Sequence, residues 1–297
     1  MRRRELEIWI GDRRLLAQEA GPEDGDLVLH HEGTPGSRHI FDGYIEAGAE
    51  RGLRHVTCSR PGYEGSDRQR GRCFADAAAD SAALVDALGV ESFYTVGVSG
   101  GGGPALACAA LLPDRVRAAA SVSALGPREG VGPEWLADAA KENQEEFDLV
   151  GKDDAGLEAK IRETAEAWSE IRTVEQLMAN LDSYLCEADR NLSSALRAHQ
   201  VWGCGRIDAD EIWGWFDDDW AMCKDWGFDL DQITVPVTIW QGGKDLMVPA
   251  QNGKWLAAHV PGAKLKFFPE EGHLSMIDRH YGEILDDLIA SAGRTAD

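Results

Sequence analysis

Between residues 27 and 122, short apolar runs alternate with helix-length stretches, and this alternation leaves the chain few ways to fold. Leu27–His31 (LVLHH), Arg54–Cys58 (RHVTC), Phe93–Val98 (FYTVGV) and Val116–Val122 are each too short for a helix and suit buried strands. Arg38–Arg51, Cys73–Leu88 and Gly102–Leu112 lie between them. Cys73–Leu88 is Ala-rich, with apolar residues at Phe74, Ala77, Ala78, Leu84, Val85 and Leu88, and Gly89 stops it; Pro113 stops the Gly102 stretch. Strands joined through helices of this length pair in parallel, so the runs spell βαβ units. Ahead of them, Glu5–Ile10 and Arg14–Glu19 read as a β-hairpin around Gly11-Asp12.

The pattern lapses after Val122. From about Gly126 to Asp231 no strand is predicted, and Pro133–Phe147, Ala155–Glu170, Val174–Ala188 and Asp208–Trp226 read as helices. Thr173-Val-Glu-Gln176 fits a capping box, and Val174, Leu177, Met178, Leu181 and Leu185 form one apolar stripe behind it. The βα pattern resumes with a strand at Val235–Gln241, a helix at Pro249–His259, a strand at Lys264–Phe268 and a helix at Ser275–Ala292. The expected architecture is α/β: a mostly parallel central sheet flanked by helices, built from residues 1–125 and 232–297, with an all-helical insertion of residues 126–231. No internal repeat interrupts it.

Charge narrows the partners. The chain carries 30 basic and 52 acidic side chains, a formal net charge of −22, and such a field repels phosphate backbones and anionic lipid. Neither nucleic acid nor a membrane surface is an expected partner. No run approaches the roughly 18 apolar residues of a membrane-spanning helix. The start, MRRRELEIWIGDRR, returns to charge before the apolar core of a signal peptide forms, so a cytoplasmic location is expected. The 6 cysteines lie far apart without a Cys-x-x-Cys, which predicts free thiols and no metal site. Asp217-Asp218-Asp219 is expected at a solvated edge, since nothing around it has the spacing of cation ligands.

Chemistry concentrates at the ends of the predicted strands. Gly97-Val98-Ser99-Gly100-Gly101 follows a strand and opens a helix. A turn that tight leaves no room for side chains beside the serine, and it lifts the Ser99 hydroxyl out of the sheet among main-chain N–H groups. The alternative is a Gly-rich helix start that packs closely or binds phosphate; no Lys-Ser/Thr pair follows to make it a P-loop. Serine needs a base. His273 follows the strand Lys264–Phe268 and is expected in the loop before the last helix, at the carboxyl edge that Ser99 also occupies. His30 and His31 end another strand at that edge and are its rivals. The base needs an orienting acid, and Asp245, in Gly242-Gly-Lys-Asp, follows the strand Val235–Gln241 and yields the order Ser…Asp…His. Donors for an oxyanion would be the Gly100 N–H and, from the loop Glu32-Gly33-Thr34-Pro35-Gly36, the Thr34 N–H.

These motifs, spread from residue 27 to residue 275, resemble the α/β-hydrolase superfamily, specifically its cap-bearing serine hydrolases. Gly33-Thr34-Pro35-Gly36 matches the end of that family's His-Gly-x-Pro-Gly loop, with Glu32 where the histidine stands. Arg60-Pro61-Gly62-Tyr63-Glu64-Gly65-Ser66 is similar to its Arg-Pro-Gly-x-Gly-x-Ser segment, a structural signature. Relatives with an aspartate nucleophile are disfavoured by Ser99. The resemblance implies a helical cap over the site, no cofactor, and hydrolysis of an ester, thioester or lactone of a small apolar molecule. Two other readings stay open: a proline-iminopeptidase-like aminopeptidase that holds a substrate amine with Glu145 and Glu146, and a relative using the same site for lyase, cofactor-free oxygenase or ligand-receptor purposes. Of the 10 tryptophans, Trp135, Trp168, Trp202, Trp213, Trp215, Trp220 and Trp226 fall in the insertion. Trp213, Trp215 and Trp220 are the candidates to roof a substrate pocket; the alternative is that they form plain cap core. Oligomeric state leaves no mark in the sequence.

Overall fold

Gly11 adopts φ +65°, a left-handed conformation open to glycine, and the turn it makes folds Arg3–Ile10 (β1) back onto Arg13–Ala20 (β2). β2 in turn runs antiparallel to Leu53–Ser59 (β4), which joins the hairpin to a parallel sheet. The computed structural model describes residues 2–293. The other strands are Asp26–His31 (β3), Phe93–Val98 (β5), Val116–Val122 (β6), Val237–Gly242 (β7) and Lys264–Phe268 (β8). The sheet has 8 strands in the order β1-β2-β4-β3-β5-β6-β7-β8, parallel from β4 onward. The expected α/β architecture is thus the observed one.

The helices of the core are Asp42–Ala49 (α1), Phe74–Ala87 (α2) and Gly102–Leu111 (α3). Between β6 and β7 come Arg128–Val131 (α4), Lys141–Leu149 (α5), Asp154–Ser169 (α6), Val174–Asn180 (α7), Ser194–Cys204 (α8) and Trp213–Cys223 (α9), with no strand among the described residues. Ala250–His259 (α10) follows β7 and His273–Ala292 (α11) follows β8. Leu84, Leu106 and Leu256, from α2, α3 and α10, pack on one face of the sheet. Ile45, Met276, Ile284 and Leu285, from α1 and α11, pack on the other. β3 connects through α1 toward β4, and β4 returns through α2 to the far side of β3, so the connections reverse direction between β3 and β5. In open α/β sheets the crevice at the carboxyl ends of such a pair is where ligands bind. No described helix is long and apolar enough to cross a membrane.

Several predicted helices are shorter than their sequence pattern, and in two of them bonds to other segments take residues away. Arg38–Arg51 becomes α1 from Asp42 only, because Arg38 reaches Glu5 at 2.8 Å and the Ile40 N–H donates to Gln18 Oε1 at 3.2 Å. Pro133–Phe147 breaks before Lys141: the buried Trp135 donates Nε1–H to the Gly126 carbonyl at 2.7 Å, and the Ala140 N–H turns to the Leu246 carbonyl at 2.7 Å. α7 starts at its Thr173/Gln176 capping box but ends at Asn180, after which the chain runs through short turns at Asp182–Tyr184 and Asp189–Asn191. α8, N-capped by the Ser193 hydroxyl at 3.1 Å, was not anticipated, and Asp208–Trp226 is helical only over α9.

The three consecutive aspartates of α9 are buried, which corrects the solvated edge expected of them. Asp217 takes a bidentate pair from Arg68 at 2.7 and 2.9 Å. Asp218 lies between Arg60 and Arg72, each at 2.6 Å, and also accepts from the Tyr63 hydroxyl at 2.7 Å and the Thr34 hydroxyl at 2.8 Å. Burial works against its charge, yet the two guanidiniums hold its carboxyl well below the usual carboxylate range. Asp219 lies near Glu146; burial and then the charge of Glu146 push its pKa well above the ordinary value, and burial raises that of Glu146 as well. No group of three or more potential ligands among the described residues is arranged to hold a metal ion. Asp218→Ala leaves two arginines buried without their counter-ion and is expected to destabilise the fold by about 3–5 kcal/mol. Asp210→Ala, at an exposed position, should stay within about 0.5 kcal/mol. Urea unfolding of the two variants checks the contrast.

Candidate active site

Ser99 has φ +54°, a rare conformation for a residue with a side chain, at the point where β5 ends. Its neighbours make the turn possible. A Cβ at Gly97 would stand 2.1 Å from the Gly101 carbonyl oxygen, and one at Gly101 would stand 2.1 Å from the His31 carbonyl oxygen. Only glycine lets the turn close on itself and on the end of β3. The β3 loop therefore lies directly over the serine: a Cβ at Gly33 would be 3.4 Å from Ser99 Cβ, and one at Gly100 would be 3.3 Å from the Thr34 nitrogen. The two main-chain segments expected to supply oxyanion donors are in contact. The Thr34 hydroxyl is committed to Asp218, and Arg60 donates to the Glu32 carbonyl at 2.5 Å and the Gly33 carbonyl at 2.7 Å, which braces this loop from behind.

Asp245 and His273 come together from the ends of β7 and β8. The carboxylate of Asp245 accepts at Oδ1 from the Met247 and Val248 N–H groups, at 2.9 and 2.8 Å, and at Oδ2 from His273 Nδ1 at 2.8 Å. A carboxylate only accepts, so Nδ1 carries the proton and Nε2 is the basic nitrogen, without a hydrogen-bond partner among the described residues. Burial alone would favour the neutral ring, but the charge and hydrogen bond of Asp245 outweigh it, and the His273 pKa lies above the ordinary histidine value. His273 is not in a loop, as the sequence suggested, but is the first residue of α11. The reason is Asp189, whose side chain takes up the N–H groups that open the helix. Nothing local in the sequence marks Asp189 among 52 acidic residues.

Ser99 and His273 border one cavity of about 470 Å³, together with Thr34. No direct Ser99–His273 hydrogen bond joins them among the described residues. The rival histidines are elsewhere. His30 is buried against Tyr44 and Tyr281, and His31 packs beside Cys108, where burial pushes its pKa down to about 3. The cavity is apolar toward Trp168, Leu177, Leu181, Trp215, Met247 and Ile277, and polar toward Arg38, His39, Glu64, His199 and Arg206.

The tryptophan expectation needs correcting. Trp215 lines the cavity, and Trp168 packs against it with ring centroids 5.4 Å apart; Trp213 and Trp220 do not line it. Trp213 stands under the Arg68 guanidinium, 4.2 Å from its ring centroid, and Trp220 turns toward Gly151. Sequence order alone could not tell which face of α9 meets the cavity. The carboxylates proposed to hold an amine are also displaced. Glu145 pairs on the surface with Lys141 at 3.1 Å, while Glu146 is buried, accepts from Trp215 Nε1 at 3.1 Å and does not line the cavity.

Comparison with known proteins places the fold. The family described as alpha/beta hydrolase fold matches residues 26–280. An uncharacterized hydrolase of Bacillus subtilis, YcgS, is 24% identical over 296 residues, covering 95% of this chain and 96% of its own. Among solved structures, a bromoperoxidase from Bacillus anthracis superposes with a TM-score of 0.69 at 19% identity, covering 98% of this chain and 100% of that one. An esterase from Exiguobacterium antarcticum does so with a TM-score of 0.67 at 18% identity, again covering 98% and 100%. At such identities the structural likeness is one of fold. The family match, over most of the chain and every strand from β3 to β8, makes the protein a member of the α/β-hydrolase fold family.

Proposed function

We propose that the protein is a serine hydrolase acting through an acyl-enzyme on an ester, thioester or lactone of a small, largely apolar molecule. The observation that carries this reading is that Ser99, in its left-handed turn, borders the same cavity as His273, whose other nitrogen is bonded to Asp245. Ser99 Oγ attacks the substrate carbonyl carbon while His273 Nε2 takes its proton. The oxyanion that forms is held by the N–H groups of Gly100 and Thr34. Collapse breaks the bond to the leaving oxygen or sulfur, which receives the proton from His273. Water, deprotonated by His273, then attacks the acyl carbon; the Ser99 Oγ–acyl bond breaks, Oγ takes the proton back from His273, and the acid and free Ser99 are released. Nucleophile–base contacts of this kind tighten when substrate docks.

The helical segment between β6 and β7 acts in this reading as a cap. Trp168 and Trp215 provide the apolar roof, and rigid aromatic area of this kind binds with little rotamer entropy to lose. The aminopeptidase alternative is disfavoured, because neither Glu145 nor Glu146 lines the cavity.

Ser99→Ala and His273→Ala are each expected to lower kcat on p-nitrophenyl esters by about 10³-fold or more, with the double variant hardly worse than either. Near-wild-type turnover by His273→Ala would sink the assignment of the base. Because imidazolium cannot accept the serine proton, kcat/KM should fall as pH drops through the His273 pKa, an inflection above the ordinary histidine value of about 6.5. Asp245→Asn removes the charge that raises this pKa, so the inflection should move down and turnover should drop; a pH-independent rate with a fully active Asp245→Asn enzyme contradicts the mechanism. Trp168→Ala should raise KM for bulky apolar esters by about tenfold, the scale of ~1–3 kcal/mol of lost contact, and affect acetate esters less. Trp213→Ala should leave KM unchanged, and equal effects of both variants on both substrates would mean that neither ring touches substrate.

A further inference from the structure

The main chain of His273 is held by a residue from outside the core. Asp189 is completely buried in the turn Asp189–Asn191, between α7 and α8. Its Oδ1 accepts from the N–H groups of Leu274 at 2.9 Å and Ser275 at 2.8 Å, and its Oδ2 from the N–H of His273 at 3.1 Å. The Cys186 thiol donates to Oδ2 at 3.4 Å. One carboxylate thus satisfies three of the N–H groups that open α11, a helix of 20 residues whose dipole is positive at this end. The approach is so close that a Cβ at Gly272 would lie 2.1 Å from Asp189 Oδ2 and 2.5 Å from Cys186 Sγ. Glycine at 272 is therefore a condition of the contact.

We propose that Asp189 is a positioning residue for the base: it fixes the His273 main chain from the β6–β7 segment and, in addition to Asp245, brings a second carboxylate to the residue whose imidazolium forms during turnover. The proposal rests on the reading of His273 as the base. Asp245, from the β7–α10 loop, and Asp189 are the charged groups that bear on the ring. Glu271, on the preceding loop, is paired with Arg279 at 3.0 Å, and burial keeps the Cys186 thiol neutral by raising its pKa. Both carboxylates raise the His273 pKa against the effect of burial. A cap that served structure alone would need an acceptor but no charge. A charge that assists the base makes the helical segment part of the catalytic apparatus, because loss of the Asp189 contact would weaken the base without touching Ser99 or Asp245.

Asp189→Asn and Asp189→Ser keep a hydrogen-bond acceptor for the helix start and remove the charge. For both, kcat should fall about tenfold, KM should stay within about twofold, and the inflection of kcat/KM should shift to lower pH. The His273 ring should titrate at lower pH by imidazole NMR, a readout that needs no substrate. An unshifted titration and a kcat within twofold of wild type overturn the proposal. Should neither variant fold by circular dichroism, Gly272→Ala displaces the carboxylate without removing it. The same downward shift is then expected, and an unchanged titration is again decisive against. Failure of the serine-hydrolase reading looks different: no ester is turned over by the wild type, yet the His273 titration still moves in Asp189→Asn.

Discussion

The carboxylate of Asp218 is the point at which three separated segments of the chain are held together. Arg60 and Tyr63 reach it from the segment after β4, Arg72 from just before α2, and Thr34 from the loop after β3, while Asp218 itself belongs to α9. Arg60 is the pivot, since the same guanidinium also binds the Glu32 and Gly33 carbonyls. The loop over Ser99 is rich in glycine and would be free to move on its own. Charge pairing on its far side removes that freedom. Two buried arginines and one carboxylate are expensive to desolvate, and apolar residues of similar volume could match their stability. What an apolar cluster could not do is hold main-chain carbonyls in a set place, which is what keeps the loop over Ser99 where the proposed oxyanion site needs it.

The same logic governs the other buried acids. The chain is strongly acidic, yet the acids that matter to the candidate site are defined by their partners and not by the net field. Asp245 is surrounded by N–H donors and an imidazole, Asp189 by the N–H groups of a helix start, Asp218 by guanidiniums. Each of these settings supports a negative charge. Asp219, one residue from Asp218, has no guanidinium or N–H partner among the described residues, and burial and the neighbouring carboxyl of Glu146 push it the other way. Glu146 in turn accepts from Trp215 and so supports the indole that lines the cavity.

The strands, the crossover helices and the residues at the strand ends were legible because their signals are local. An apolar run of six residues, a glycine that stops a helix and a serine between glycines each constrain their own few residues whatever lies around them. Since a parallel sheet places all its strand-to-helix loops on one edge, reading the strands was enough to put Ser99, Asp245 and His273 on the same side. The helical segment was less legible for a matching reason. Where its helices break depends on bonds such as Ala140 to Leu246, made across more than a hundred residues. Helix α8 went unseen because its sequence, SALRAHQVWGC, mixes polar and apolar residues, and only the Ser193 cap announced it.

By itself, then, the sequence determined the order of the strands and of the helices that cross between them, the tight turn at Ser99 and the placing of Ser99, Asp245 and His273 at one edge of the sheet. Only the tertiary structure decided which acids are buried, which tryptophans face the cavity and what starts the helix at His273. Asp217, Asp218 and Asp219 read identically along the chain, as do Trp213 and Trp215. Their fates differ because burial, pairing and the choice of face depend on what packs opposite, and that partner is always far away in sequence: Arg60 for Asp218, Arg68 for Trp213, and the helix start at residue 273 for Asp189.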